Sequence, residues 1–375
     1  MLASGTMAVA IFLMGGKVNA IGCFRHLRSQ SFLPFSQRKC RREETWVRAL
    51  MSCEPGGPET LRLLDVPVPI PGLGQVLLEV RACGVNYPDF LTIQDKYQVK
   101  SPRPFSPGAE VAGTVSAIGA GVSELHVGQR VAARIGTGGM AEFVVVDAER
   151  CSKIPDEMSF ADAAVMQFTF ETAYYALHTR AQLKAGETVL VLGAGGGVGI
   201  AAVQVARNLG AHVVAAASSE EKVNFARRHG AASGIIYPSA APDDRREVAT
   251  LLKSLVGTRG ADVVIDPVGG WLSETAIRCV AEAGRYLVLG FTAGIPSLPL
   301  NLPLLKNCDV LGINWRTFLL QQGQRNDANR CELHRWYREG ILSPGITAEF
   351  SLPEGGKAIQ ILADRNAVGK IVVTI

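Results

Sequence analysis

The chain has 375 residues, 47% hydrophobic and 19% charged, which excludes a disordered or low-complexity protein and gives room for two domains. Its net charge of +4 is gathered at one end. Residues 1–42 hold Lys17, Arg25, Arg28, Arg38, Lys39, Arg41 and Arg42 and no acid, leaving 31 basic against 34 acidic residues, or −3, in the remainder. An acidic body argues against nucleic acid as a partner.

An acid-free, basic, serine-containing segment has the composition of an organellar transit peptide. Residues 1–45 therefore read as a disordered targeting extension, and the expected location is mitochondrial; without an address in that segment it is cytoplasmic. Ala8–Met14 is apolar but too short for a bilayer, so no membrane span is expected. The eight cysteines (Cys23, Cys40, Cys53, Cys83, Cys151, Cys279, Cys308 and Cys331) contain no C-x-x-C pair, which points to neither a disulfide framework nor a zinc knuckle.

Trp46–Ser52 and Leu61–Val66 read as strands across a turn at Glu54–Pro58, and Gln75–Ala82 as a third. Cys83–Asp89 reads as a loop, and Pro102–Pro107 as an irregular run that a sheet interior cannot hold. Val111–Ile118, Arg130–Arg134 and Glu142–Val146 complete a small β domain. Phe160–His178 reads as helical.

Alternation follows. Strands are expected at Thr188–Leu192, His212–Ala217, Ile235–Tyr237, Val263–Asp266 and Arg285–Gly290. Helices are expected at Ile200–Leu209, Glu220–His229, Arg246–Val256 and Leu272–Ala283. This pattern predicts an α/β fold with a parallel, doubly wound sheet. Ser218 and Glu221 are spaced as a capping box for the second of those helices. Beyond Val310 the pattern changes, with helices at Asn329–Glu339 and within Pro353–Asp364 and a last strand at Lys370–Ile375.

The chemistry gathers at Thr188–Gly210, where a short apolar strand, a glycine-dense turn and an alanine-rich helix follow one another. A turn without Cβ atoms lets backbone approach a pyrophosphate, and the unpaired N–H groups at the helix start bind its oxygens. The candidate cofactor contacts here are Ala194, Gly195, Gly196, Gly197, Val198 and Gly199; in G-x-G-x-x-G the first position is Ala194. An NAD site places Asp or Glu at the end of the second strand. Here Ser218 and Ser219 follow that strand, and Lys222 lies three residues on, within reach of a 2′-phosphate. Glu220 and Glu221 should point along the helix, away from the ribose. The alternative is that the two serines only cap the helix. The expected cofactor is NADPH.

From Trp46 to Ile375 the chain resembles the medium-chain dehydrogenases/reductases, in the quinone oxidoreductase branch that includes zeta-crystallin. The resemblance rests on VRALMSCEPGGPETLRLLDVPVP, ACGVNYPDFLTIQDKYQ, PFSPGAEVAGTVSAIG, GETVLVLGAGGGVGIAAVQVARNLGA, ASSEEKVNFARRHGA, DVVIDPVGG and NAVGKIVVT, in that order. It implies a GroES-like β-rich catalytic domain (46–171 and 312–375) around a Rossmann cofactor domain (172–311), and a homodimer.

By the same resemblance, Asn86 lies near the nicotinamide and the acceptor oxygen, with Tyr97 near the substrate mouth. Tyr97 either orients or protonates an acceptor or is a packed aromatic, and Asn86 either serves the site or bonds its own loop. Thr172 faces the nicotinamide side or is a helix-interior hydroxyl. Glu171 stands where relatives have glycine. Tyr237 lies at the adenosine side, Gly290, Phe291 and Thr292 pass beside the nicotinamide, and Asn314 and Trp315 lie near the cleft. Alcohol dehydrogenases of the superfamily hold zinc through a Cys, a His in Gly-His-Glu and a further Cys or Asp. Cys83 and Glu110 survive here, but the histidine position is Ala109 and the four-cysteine lobe is missing, so no metal is expected.

The reading is NADPH-dependent reduction of a small-molecule quinone or α,β-unsaturated carbonyl compound (an enone), by hydride or single-electron transfer. Alternatives are an organellar enoyl-thioester reductase and, in another class, a non-catalytic NADPH-binding or RNA-binding crystallin-like protein.

Overall fold

The computed structural model describes residues 45–375; the targeting expectation for the basic segment falls outside the described residues. The β-rich part opens with an antiparallel pair, β1 (Trp46–Met51) and β2 (Arg62–Pro67). Five strands follow: β3 (Gln75–Val85), β4 (Glu110–Ile118), β5 (Arg130–Arg134), β6 (Phe143–Asp147) and β7 (Cys151–Lys153). The α/β part supplies β8 (Thr188–Leu192), β9 (His212–Ala217), β10 (Ser233–Ile236), β11 (Ala261–Asp266), β12 (Val280–Val288) and β13 (Asp309–Gly312). The tail adds β14 (Ile346–Ser351) and β15 (Lys370–Thr374).

One sheet has the order β14-β15-β3-β4-β5-β7, with β6 also on β3. The other is parallel throughout, in the order β10-β9-β8-β11-β12-β13. The tail thus returns to the first sheet, as the sequence pattern implies. The strand order reverses between β8 and β11, and an α/β sheet opens its ligand crevice at such a switch point. Val189–Leu192 are buried on both faces, and helix Gly197–Asn208 covers them with Ile200, Ala201, Val203 and Val205.

Several boundaries differ from expectation. Cys83–Asp89 is not a loop. β3 continues through Cys83 to Val85 because those side chains are core, and helix Tyr87–Ile93 starts at once. Pro88 suits that first turn, where its missing N–H costs nothing, and the Asp89 carboxylate accepts the Asn86 N–H at 2.8 Å. Helix Gly197–Asn208 starts three residues before Ile200, on the glycines themselves, and Gly210 at φ +85° ends it. The predicted helix Leu272–Ala283 is Gly270–Ala276 plus a short 3-10 turn; buried Val280 and Ala281 then begin β12. Helix Trp315–Arg338 is longer than Asn329–Glu339 and kinks at Gln322.

Helix Phe160–Met166 runs on through π-helical turns at Gln167–Glu171 and Tyr175–Arg180. Glu171 is buried, and Arg330 Nε reaches its carboxylate at 2.8 Å. Asn326 Nδ2 also donates to it, while Trp315 Nε1 donates to Asn326 Oδ1 at 3.2 Å. The acid at the glycine position is therefore one half of a buried pair that ties two helices together.

Candidate active site

A cleft runs between the two sheets, along the glycine turn. At its centre Gly193, φ +60°, makes the tight bend, and a Cβ on Gly199 would lie 2.1 Å from the Gly193 carbonyl. The turn role expected at Ala194 thus belongs to Gly193. Ala194 is fully buried, with its N–H on the Ala216 carbonyl at 3.0 Å. The helix cap is Gly196, which has no side chain to satisfy the first N–H groups, so these face the cleft unspent. Gly195, Gly196, Gly197, Val198 and Gly199 all line it.

At one end of the cleft stand Ser218, Lys222, Tyr237 and Arg365. Ser219, not Ser218, caps helix Glu220–Arg228, accepting the Lys222 N–H at 3.3 Å. The predicted Ser218–Glu221 box does not form, because the helix starts one residue later; Ser218 is left to face the cleft. Lys222 Nζ donates to the Arg365 carbonyl at 2.6 Å and lies 3.5 Å from Ser218 Oγ. Arg365, which no spacing in the sequence singles out, sends Nη2 across the mouth to the Thr292 carbonyl at 2.8 Å. Burial pushes the Lys222 ammonium below its ordinary range and the Tyr237 phenol up to about 12.

The other end is built on Asn86 and Lys370. Lys370 Nζ, fully buried, donates to Asn86 Oδ1 at 2.6 Å and lies 3.9 Å from Glu110 Oε2. Asn86 Nδ2 donates to Glu110 Oε2 at 3.0 Å and to the Gly84 carbonyl at 3.3 Å. Both hydrogens of that amide are therefore taken, and the free donor expected for an acceptor oxygen is absent from Asn86 in this arrangement. Burial raises the Glu110 carboxyl and lowers the Lys370 ammonium, and each restrains the other's shift. Asn86, not Cys83, faces Glu110. The Cys83 sulfur is turned into the β core, so close that a Cβ on Gly108 would meet it at 2.5 Å.

Thr292 lines the cleft, whereas Gly290 does not and the Phe291 side chain is exposed. Thr172 Oγ1 is spent on the Phe168 carbonyl at 2.6 Å; Phe168 and Thr169, one helical turn earlier, line the cleft in its place. Tyr97 is half-buried outside the lining, and burial raises its phenol while Arg316 opposes the rise. Asn314 caps helix Trp315–Arg338, accepting from Thr317 N at 3.1 Å, and Trp315 is buried behind Phe168, with ring centroids 6.3 Å apart. Among the described residues no group of three or more His, Cys, Asp or Glu could hold a metal ion, and no helix is long and apolar enough to cross a membrane.

Comparison with known proteins places this geometry. Residues 72–156 match the alcohol dehydrogenase GroES-like domain, and residues 197–328 match the family described as zinc-binding dehydrogenase. Rat quinone oxidoreductase-like protein 2 is 36% identical over 330 residues, covering 88% of this chain and 92% of that protein. The chain belongs to the quinone oxidoreductase family of medium-chain dehydrogenases/reductases. Human quinone oxidoreductase is 31% identical, over 88% of this chain and 98% of its own. A mycobacterial member solved with NADPH superposes with a TM-score of 0.81 at 29% identity, covering 88% of this chain and 100% of that one. Like them, the present quinone oxidoreductase family member is an oxidoreductase by fold and lineage.

Within this family site, Asp89 offers a test. Burial raises its carboxyl to about 7, against opposing hydrogen bonds from the Asn86 and Gly108 backbone and the Lys370 charge. The folded state therefore holds a proton that the unfolded chain releases near pH 4. Native protein binds more protons in between, so this group's contribution to stability falls as pH rises from about 4 to 7. Asp89→Asn should flatten that fall. Urea midpoints across this range that decline equally in both proteins would show that Asp89 is not the group.

Proposed function

We propose that the protein reduces quinones or α,β-unsaturated carbonyl compounds with NADPH, and without zinc. The observation that carries the cofactor is the end of the cleft at β9, where Ser218 and Ser219 rather than a carboxylate follow the strand, Lys222 Nζ lies 3.5 Å from Ser218 Oγ and Arg365 also lines the cleft. Two cations and a hydroxyl suit a 2′-phosphate; a ribose-binding Asp would repel it. The glycine cradle supports a pyrophosphate, since a Cβ on Gly195 would meet Lys222 Cβ at 2.5 Å and one on Gly197 would meet Lys370 Cδ at 2.8 Å.

NADPH supplies a hydride. The chain's own part is to hold the cofactor at the turn and to exclude water with Phe168, Val268 and Trp271. Lys370 stands at the end of the cleft where reduction would build negative charge on an acceptor, its ammonium shared between Asn86 and Glu110. Ala109 brings no ligand, Cys83 faces away and Lys370 already neutralises Glu110, all of which favour chemistry without a metal.

We also infer a homodimer joined through β13. Among the described residues this edge strand pairs only with β12, and Leu300, Leu304 and Leu305 just before it in the chain are each at least 74% exposed.

Lys222→Ala should raise the Michaelis constant for NADPH about tenfold or more and leave that for NADH nearly unchanged, because a charge-assisted phosphate contact is worth roughly 1.5–3 kcal/mol. Equal weakening of both cofactors, or wild-type preference for NADH, would refute the assignment. Elemental analysis after dialysis should find far less than one zinc per chain; stoichiometric zinc would end the metal-free reading. Light scattering at micromolar concentration should give twice the chain mass, and Leu304→Arg should shift it toward the monomer. A wild-type monomer counts against the β13 interface.

A further inference from the structure

β4 and β5 pair antiparallel with Glu110 directly opposite Arg134. Residues in register on an antiparallel pair project from the same face, so Arg134 emerges on the face that carries Glu110 and the Asn86–Lys370 end of the cleft. Its guanidinium lies over the Trp315 ring, 4.5 Å from the centroid, and Trp315 packs against Phe168, which lines the cleft.

This cation makes no close ion pair, although the Glu171 and Glu110 carboxylates act on its charge from farther off. Among the described residues no carboxylate lies within ion-pair distance of it, and its Nε is buried without a hydrogen-bond partner. The nearby carboxylates are committed elsewhere. Glu110 takes the Phe168 N–H at 2.7 Å, Asn86 Nδ2 and the Lys370 charge. Glu171 takes Arg330 and Asn326. A half-buried guanidinium without a partner carries a desolvation cost that an incoming anion would relieve. The contact with the Trp315 ring restricts the guanidinium and leaves its outer donors to a carboxylate.

We propose that Arg134, held against Trp315 beside Phe168, is an anion anchor for the acceptor, which would be an enone or quinone bearing a carboxylate. This rests on the reductase reading above and specifies its substrate class.

The test uses a matched pair, 4-oxo-4-phenylbut-2-enoate and its methyl ester, which share the enone and differ in charge. Wild-type protein with NADPH should show the higher kcat/KM on the acid. Arg134→Met should lower the acid-to-ester ratio at least tenfold, and Arg134→Lys, which keeps the charge without the planar stack, should fall between. Wild-type preference for the ester, or a ratio unmoved in Arg134→Met, overturns the anchor while leaving the reductase reading intact. Should the protein reduce no enone or quinone, the reductase reading fails. Calorimetry with the saturated 4-oxo-4-phenylbutanoate then decides the anchor separately. At least tenfold weaker binding to Arg134→Met supports it, and equal or absent binding in both proteins overturns it.

Discussion

A 2.7 Å hydrogen bond from the Gly369 N–H to the Gly195 carbonyl fastens the lead-in of β15 to the glycine turn. Backbones at that separation leave no room for side chains. Gly369 sits at φ +63°, and a Cβ there would stand 2.2 Å from the Gly345 carbonyl. The contact brings the next residue, Lys370, over Gly197 and into the cleft with its ammonium on Asn86. Both walls of the cleft are thus registered by one close approach of main chains. Widening it by a methyl group would displace the turn and the buried lysine together.

The wall at the end of β11 is set differently, by one acid. Asp266 Oδ1 accepts the Val268 and Gly269 N–H groups at 2.8 and 2.9 Å, and Oδ2 accepts the Tyr286 hydroxyl at 2.7 Å. A carboxylate with several donors is satisfied even when buried, and it holds its loop in one conformation. Pro267 and Val268 face the cleft because Asp266 faces away from it.

Thr188–Leu192 and His212–Ala217 of the parallel sheet were legible residue for residue as short apolar runs between breakers, as was Arg130–Arg134 of the other sheet, whereas β13, mostly exposed, carries no such run. That the glycine turn and Lys222 lie at the cleft was legible because their geometry is local. What escaped is what depends on distant chain. Asn86 and Lys370 are 284 residues apart, and Lys222 and Arg365 are 143 apart, separations that no spacing rule encodes. The shift from Thr172 to Thr169 arises in the π-helical turn, which rotates the face that a regular helix would present. Ser219, not Ser218, is the cap, because helix ends shift by a residue beyond what spacing can fix.

The bond from Lys222 to the carbonyl of Arg365, and that from Arg365 to the carbonyl of Thr292, place a closed latch over one end of the cleft. Both cations already have oxygen partners without a ligand. A phosphate bound there, as proposed above, would exchange partners, so the binding energy it gained would be the difference between an ionic and a neutral contact. The association rate would then follow how often the segment carrying Arg365 lifts off, and the residence time how often both cations let go at once.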